Sequence, residues 1–209
     1  MSDTPDLSLD AVRVERGGRA LFAPVSLRLG GGELLRVTGA NGAGKTSLLR
    51  LMAGLLPPAA GRVCWRGAPL AEQRERFARD RLFLGHEPGL KDGLDPTDNL
   101  LAATRLAGHP VAPAQAAQAL AEAGLAPLRR VPVGRLSQGQ RRRAALARLA
   151  LARAQPLWVL DEPFNALDAA ATGWLHGLLR AHLARGGCAV VTSHWPLALD
   201  GVAARELAL

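Results

Sequence analysis

The chain has 209 residues, enough to bury a sizeable core in one domain with an insertion but too few for a separate transport domain beside it. Hydrophobic residues make up 48% of it, yet no run of about 18 uncharged apolar residues occurs; the richest stretch, Leu48 to Leu56, is short and contains Arg50, which excludes a membrane span. The net charge of +8 suits nucleic acid, an anionic membrane surface or phosphorylated ligands alike, while two distant cysteines, Cys64 and Cys188, argue against a disulfide framework or a thiolate metal site and read as small core residues.

The first residues, Met1-Ser2-Asp3-Thr4-Pro5-Asp6, are acidic where a secretory signal needs positive charge, so the chain is expected to stay in the cytoplasm. Leu7 to Val14 alternates apolar and polar residues, as does Val25 to Leu29 before Gly30-Gly31-Gly32, and both predict strands. Glu33 to Thr38 predicts a third strand, broken by a glycine-rich loop. Lys45 to Ala53 then predicts a helix that stops at Gly54 and Pro57-Pro58. From Gln73 to Ala123 the composition turns to Ala, Leu, Gln and Arg, with Thr97 and Pro113 as helix starts, which predicts a helical insertion; with the helix that follows it, the inserted subdomain spans about 73–150. Ser137 opens a long Ala/Leu/Arg helix ending before Pro156. Leu157 to Leu160 has the length and apolarity of a buried parallel strand, Asp168 to Ala184 predicts another helix, and Cys188 to Thr192 a last buried strand. Strands alternating with helices favour an α/β fold with a parallel sheet covered on both faces.

Three segments carry chemistry. Gly39-Ala40-Asn41-Gly42-Ala43-Gly44-Lys45-Thr46, followed by Ser47, has the phosphate-loop spacing and sits between a predicted strand and a predicted helix. Glycines let backbone N–H groups converge on phosphate oxygens, the helix start adds its dipole, Lys45 neutralises the terminal phosphates and Thr46 can ligate Mg²⁺. Asp161 emerges at the carboxyl end of a buried strand, where open parallel sheets bind ligands, and is placed to hold Mg²⁺; Glu162 beside it can polarise an attacking water. An Asp-Glu-Pro sequence after a strand is by itself more often a turn. Leu136-Ser137-Gln138-Gly139-Gln140 starts the long helix, with Ser137 as its cap and Gly139 permitting close backbone approach; alone it reads as an ordinary capped helix.

Taken in order over nearly the whole chain, these segments resemble the nucleotide-binding domains of ABC transporters. The resemblance implies a single ABC ATPase domain over residues 1–209, of the P-loop NTPase fold: α/β, a mostly parallel sheet with antiparallel amino-terminal strands, and an inserted helical subdomain. Leu136 to Gln140 is similar to the family signature LSGGQ, with Gln138 in place of a glycine. Trp158 to Glu162 is similar to the Walker B strand with its catalytic glutamate, and Ala166-Leu167-Asp168 to the D-loop. His194 falls at the switch-histidine position. Such domains pair head to tail, which implies that Ser137 and Gly139 serve the ATP held by a second subunit, either another copy of this chain or a paralogue. His86 stands where the family places its Q-loop glutamine, with Glu87 as an alternative, and Arg16 where an aromatic side chain stacks on adenine. The implied cofactors are ATP and Mg²⁺.

A narrower resemblance, carried by Leu84 to Lys91, Leu136 to Arg143 and Leu160 to Phe164 with Ala166-Leu167-Asp168, is to the CcmA family of bacterial cytochrome c maturation ATPases. It implies a peripheral protein on the cytoplasmic face of the inner membrane, homodimeric, bound to a transmembrane permease subunit of the CcmB type with CcmC-like and CcmD-like proteins nearby, and concerned with haem export or release of a haem-loaded chaperone. His86, His109, His176, His182 and His194 show no paired spacing of a haem site. An exporter for another substrate is the alternative within the transport class. A soluble ABC ATPase acting on nucleic acid would carry two ATPase units or a long coiled coil, which this chain lacks, so no nucleic-acid partner is expected. A non-hydrolysing scaffold fits poorly with Lys45, Asp161 and Glu162 all in place.

Overall fold

The computed structural model describes residues 6–193, 201–202 and 204–209; His194 lies outside them. Strand β1 (Leu7–Arg13) is followed by a hairpin of β2 (Glu15–Arg16) and β3 (Arg19–Ala20), then β4 (Val25–Leu29). β5 (Leu34–Thr38) leads through the glycine loop into α1 (Lys45–Met52). That helix ends because Ala53 donates back to Leu49 O at 2.9 Å and Gly54 takes φ 67, a left-handed angle open to glycine. β6 (Ala60–Trp65) and β7 (Ala68–Pro69) come next, then α2 (Arg74–Asp80) and β8 (Arg81–Leu84).

Three helices follow. α3 (Pro96–Leu106) is capped by Asp95, which accepts from Asp98 N, and α4 (Pro113–Glu122) opens on its proline. α5 (Gln138–Leu151) starts with a capping box: Ser137 N donates to Gln140 Oε1 at 2.9 Å while Gln140 N donates to Ser137 Oγ. β9 (Leu157–Leu160), α6 (Ala169–Ala184), capped by Asp168, β10 (Cys188–Thr192) and β11 (Ala204–Ala208) complete the described chain.

Two principal sheets result. One is antiparallel, in the order β4-β1-β6-β7, and the other wholly parallel, in the order β11-β5-β10-β9-β8. The expected mixture of a parallel sheet with antiparallel amino-terminal strands is what the chain forms. A core containing Leu7, Leu29, Leu48, Leu49, Met52 and Trp65 lies about α1, between the antiparallel strands and the parallel sheet. On the sheet's other side Trp158, Leu160, Leu175 and Leu179 pack with Leu146 and Leu149 of α5. Helices α3, α4 and the middle of α5 share a third cluster around Leu100, Leu120 and Leu125.

Residues 73–150 are not helical throughout. β8 pairs in parallel with β9, from Arg81 opposite Leu157 to Leu84 opposite Leu160, and Phe77 of α2 packs in the first core. Tertiary pairing with a fully buried neighbour overrides the Ala/Arg-rich composition around this four-residue strand. β6, β7 and β11 also lie beyond the strands expected from the sequence. β11, exposed and of mixed composition, joins as an edge strand through parallel pairing to β5.

Candidate functional site

Because the sheet is parallel, the carboxyl ends of β5, β8, β9 and β10 open on one edge. The glycine loop follows β5, Gly85 and His86 follow β8, Asp161 and Glu162 follow β9, and β10 ends at Thr192. Arg16, Leu21, Asn41, Gly42, Gly44, Lys45, Thr46, Ser47, His86, Asp161, Glu162 and Asn165 line a cleft of about 440 Å³ there. A larger groove of about 940 Å³, lined by apolar residues such as Leu55, Leu56, Leu70 and Phe77, lies away from the glycine loop, so phosphate chemistry belongs to the smaller cleft.

The loop's glycines are required by geometry. Gly44, the cap of α1, has φ 100, and a Cβ there would fall 2.8 Å from the Phe22 ring; Gly39 has φ 141, and a Cβ there would fall 2.8 Å from the Leu209 carbonyl oxygen. The backbone can therefore curl in front of the helix start, where N–H groups and the dipole favour an anion. Lys45 Nζ donates to Gly39 O at 2.7 Å and Ala40 O at 3.0 Å, lying along the loop its charge would serve.

Asp161 is 2% exposed, and both its oxygens are occupied. Thr46 Oγ1 donates to Oδ2 at 2.8 Å and Thr192 Oγ1 donates to Oδ1 at 2.7 Å. The Glu162 amide donates to the same Thr192 hydroxyl at 2.7 Å. The ends of β9 and β10 and the start of α1 are thus joined through one buried carboxylate. Glu162 has φ 52 and Ala166 φ 61, left-handed angles that cost a non-glycine residue on the order of 1 kcal/mol each. Such strain persists where surrounding bonds fix it.

These residues fit Mg²⁺, a hard cation that takes oxygen donors and keeps several waters. Thr46 Oγ1 and Asp161 Oδ2 are oxygens held together beside the phosphate loop, and among the described residues no group of three or more His, Cys, Asp or Glu offers a rival metal site.

Ser137 and Gly139 do not line the phosphate cleft of their own chain. Gly139 instead packs on the loop after Glu162: a Cβ on it would lie 2.9 Å from Ala166 O. A neighbouring cleft of about 410 Å³ is lined by His86, Leu136, Gln138, Arg141, Arg142, Glu162 and Ala166, at the start of α5.

A family model described as ABC transporter matches residues 22–165. A cytochrome c biogenesis ATP-binding export protein CcmA from Dechloromonas aromatica is 48% identical over 203 residues, 97% of this chain and 99% of that protein. Its namesake from Pseudomonas aeruginosa is 51% identical, covering 88% and 90%. The chain belongs to the CcmA family of ABC transporter ATP-binding proteins. Among solved structures, an ABC transporter ATP-binding protein from Pyrococcus furiosus superposes with a TM-score of 0.82 at 25% identity, covering 96% of each chain. A dimeric ATP-binding cassette, captured after hydrolysis with ADP and Pi, reaches 0.79 at 23% identity over 90% of this chain and 88% of that one.

In this CcmA-family chain one further residue at the site is invisible in the motifs. Arg142, 6% exposed, extends from α5 between the loops after β8 and β9. Its Nη2 donates to Asp161 O at 2.8 Å and Glu162 O at 2.6 Å, Nη1 to Gly85 O at 3.2 Å and His86 O at 3.3 Å, and Nε to Pro163 O at 3.4 Å. Burial lowers its pKa from the usual guanidinium range, and the charges of Asp161 and Glu162 oppose that lowering. Arg142, Leu146 and Leu149 occupy one helical face, with both leucines in the core, a spacing through which the sequence could have singled it out.

Proposed function

We propose that the protein is the ATP-hydrolysing subunit of a membrane export complex for cytochrome c biogenesis, acting as a head-to-tail dimer with two ATP at its interface. The observation that carries this reading is the hydrogen-bonded chain Thr46–Asp161–Thr192–Glu162 at the mouth of the phosphate loop. It puts a carboxylate-bearing residue, Glu162, next to a group suited to a nucleotide's metal ion. When bound, Mg²⁺, held by Thr46 and Asp161, supplies charge neutralisation for the β- and γ-phosphates.

Residues 39–44, with Ser47, cradle the phosphates through backbone amides, and Lys45 swings from the loop carbonyls to the terminal phosphate. Glu162 accepts a proton from the attacking water as general base. His194 follows β10 in sequence and would reach the same phosphate. His86 bonds water beside it in place of the family's glutamine, and Arg16 lies flat on the adenine. Ser137 and Gly139 present the start of α5 to the ATP of the second copy. Closure of the two copies drives the membrane partner through residues 86–91, and hydrolysis reopens them.

The CcmA name of the relatives supports a permease partner of the CcmB type, with CcmC-like and CcmD-like proteins, at the cytoplasmic face of the inner membrane. No helix among the described residues is long and apolar enough to cross a membrane, so the partner would supply the spans. The cargo would be haem or a haem-loaded chaperone.

Wild-type and Glu162→Gln chains purified from membranes in mild detergent test the reading. A co-purifying cytochrome c biogenesis membrane subunit, with turnover reduced about 100-fold or more by Glu162→Gln, is the expected result. Another permease in its place overturns the cytochrome c assignment, and undiminished turnover removes Glu162 from the chemistry.

A further inference from the structure

We infer that Arg142 is a positioning residue for hydrolysis, locking the loop that carries Glu162 and the loop that carries His86 to the helix that begins at Ser137. The inference rests on the proposed role of Glu162. A guanidinium has five N–H donors in a rigid plane, and here the five bonds run to five main-chain oxygens. Two of those oxygens belong to the loop after β8 and three to the loop after β9. The bonds to Asp161 O and Glu162 O hold the two peptides on either side of Glu162, whose own conformation is left-handed.

Independent packing supports the same linkage. Gly139, one turn ahead of Arg142 on α5, sits against Ala166 O on the far side of the Glu162 loop. The start of α5 therefore touches that loop at both ends, through a contact that excludes a methyl group and through a five-donor fork. A helix start that engages the partner's nucleotide cannot shift without carrying Glu162 and His86 of its own chain. Each copy would thus set its own catalytic carboxylate according to what its signature helix meets on the other copy.

Lysine keeps the charge but offers three donors on a flexible stem, so it cannot reproduce the planar fork. The test compares full-length wild-type, Arg142→Lys and Glu162→Gln chains for kcat, KM for ATP and thermal midpoint. Arg142→Lys is expected to lower kcat by about tenfold or more with KM changed less than about twofold, since misplacement of a catalytic group acts on the transition state. Wild-type kcat in Arg142→Lys, with turnover lost in Glu162→Gln, overturns this inference alone; full turnover in Glu162→Gln overturns the underlying reading instead. Amide exchange in the Glu162→Gln chain provides a readout that does not depend on the arginine variant folding. Saturating ATP should slow residues 137–141, 85–88 and 161–166 together, and slowing confined to 137–141 overturns the linkage.

Discussion

Thr192 and Asp161 meet through a 2.7 Å hydrogen bond in which the threonine hydroxyl donates to the carboxylate while accepting from the Glu162 amide. Thr192→Val keeps the shape and removes both bonds, leaving a buried acceptor and a donor without their partner. The expected cost is about 1–3 kcal/mol of stability. Turnover should fall with it, because the Glu162 backbone loses a tether. Urea unfolding and steady-state ATP hydrolysis on the same preparation check both effects.

Gly139 is expected to tolerate no larger residue. A Cβ 2.9 Å from Ala166 O forces either α5 or the loop behind Glu162 to move. Gly139→Ala should reduce turnover by about tenfold or more, as displacement of a reacting group does, while leaving ADP binding to the isolated subunit intact. Calorimetric ADP titration beside a turnover assay separates the two.

His182 gives the fold a pH dependence remote from the nucleotide. It is 3% exposed, stacks on Trp158 with ring centroids 3.9 Å apart, and bonds Cys188 O at 3.1 Å. Burial lowers its pKa to about 4, with the Cys188 bond opposing the shift. The unfolded chain takes up the proton near pH 6.5, so the stability from neutral His182 is complete above that value and declines as pH falls toward about 4. The full span corresponds to a few kcal/mol, on the order of 3. His182→Gln, which retains a donor but does not titrate, should flatten the decline measured by denaturant unfolding between pH 7 and 4.

Arg16 supplies a prediction about adenine. It is exposed on the β2–β3 hairpin and lines the phosphate cleft. Stacking by a solvated guanidinium contributes roughly 0.5–1 kcal/mol, so Arg16→Ala should raise KM for ATP only a few-fold. Arg16→Trp should lower it, and GTP against ATP competition reads the change in base contact.

Much of this site was legible because its residues sit at strand ends and helix starts, positions that local patterns mark. The buried run Leu157 to Leu160 announced Asp161, and Ser137 with Gln140 announced the start of α5. β8 is hidden in the sequence because four residues, Arg81 to Leu84, become a strand only against Leu157 to Leu160. β6 contains Gly61 and Arg62, and only its last half is buried, so its alternation is weak; its register comes from pairing with β1. Arg142 stands in the run Arg141-Arg142-Arg143, where composition alone suggests three solvated charges. Helical phase decides which one turns inward, and phase is fixed by what Leu146 and Leu149 pack against. Asn99 is hidden likewise: buried in α3, it accepts from Lys91 N at 2.8 Å and donates to Lys91 O, Leu94 O and Asp95 O, fastening the loop that follows His86.

The oxygens grasped by Arg142 all belong to peptide groups, and a grip on peptide groups is indifferent to the side chains they carry. The side chain at position 86 can change and leave that grip untouched. The loop can thus exchange the side chain it presents at position 86 while its path through space is held by an arginine on another helix, which separates the loop's chemistry from its shape.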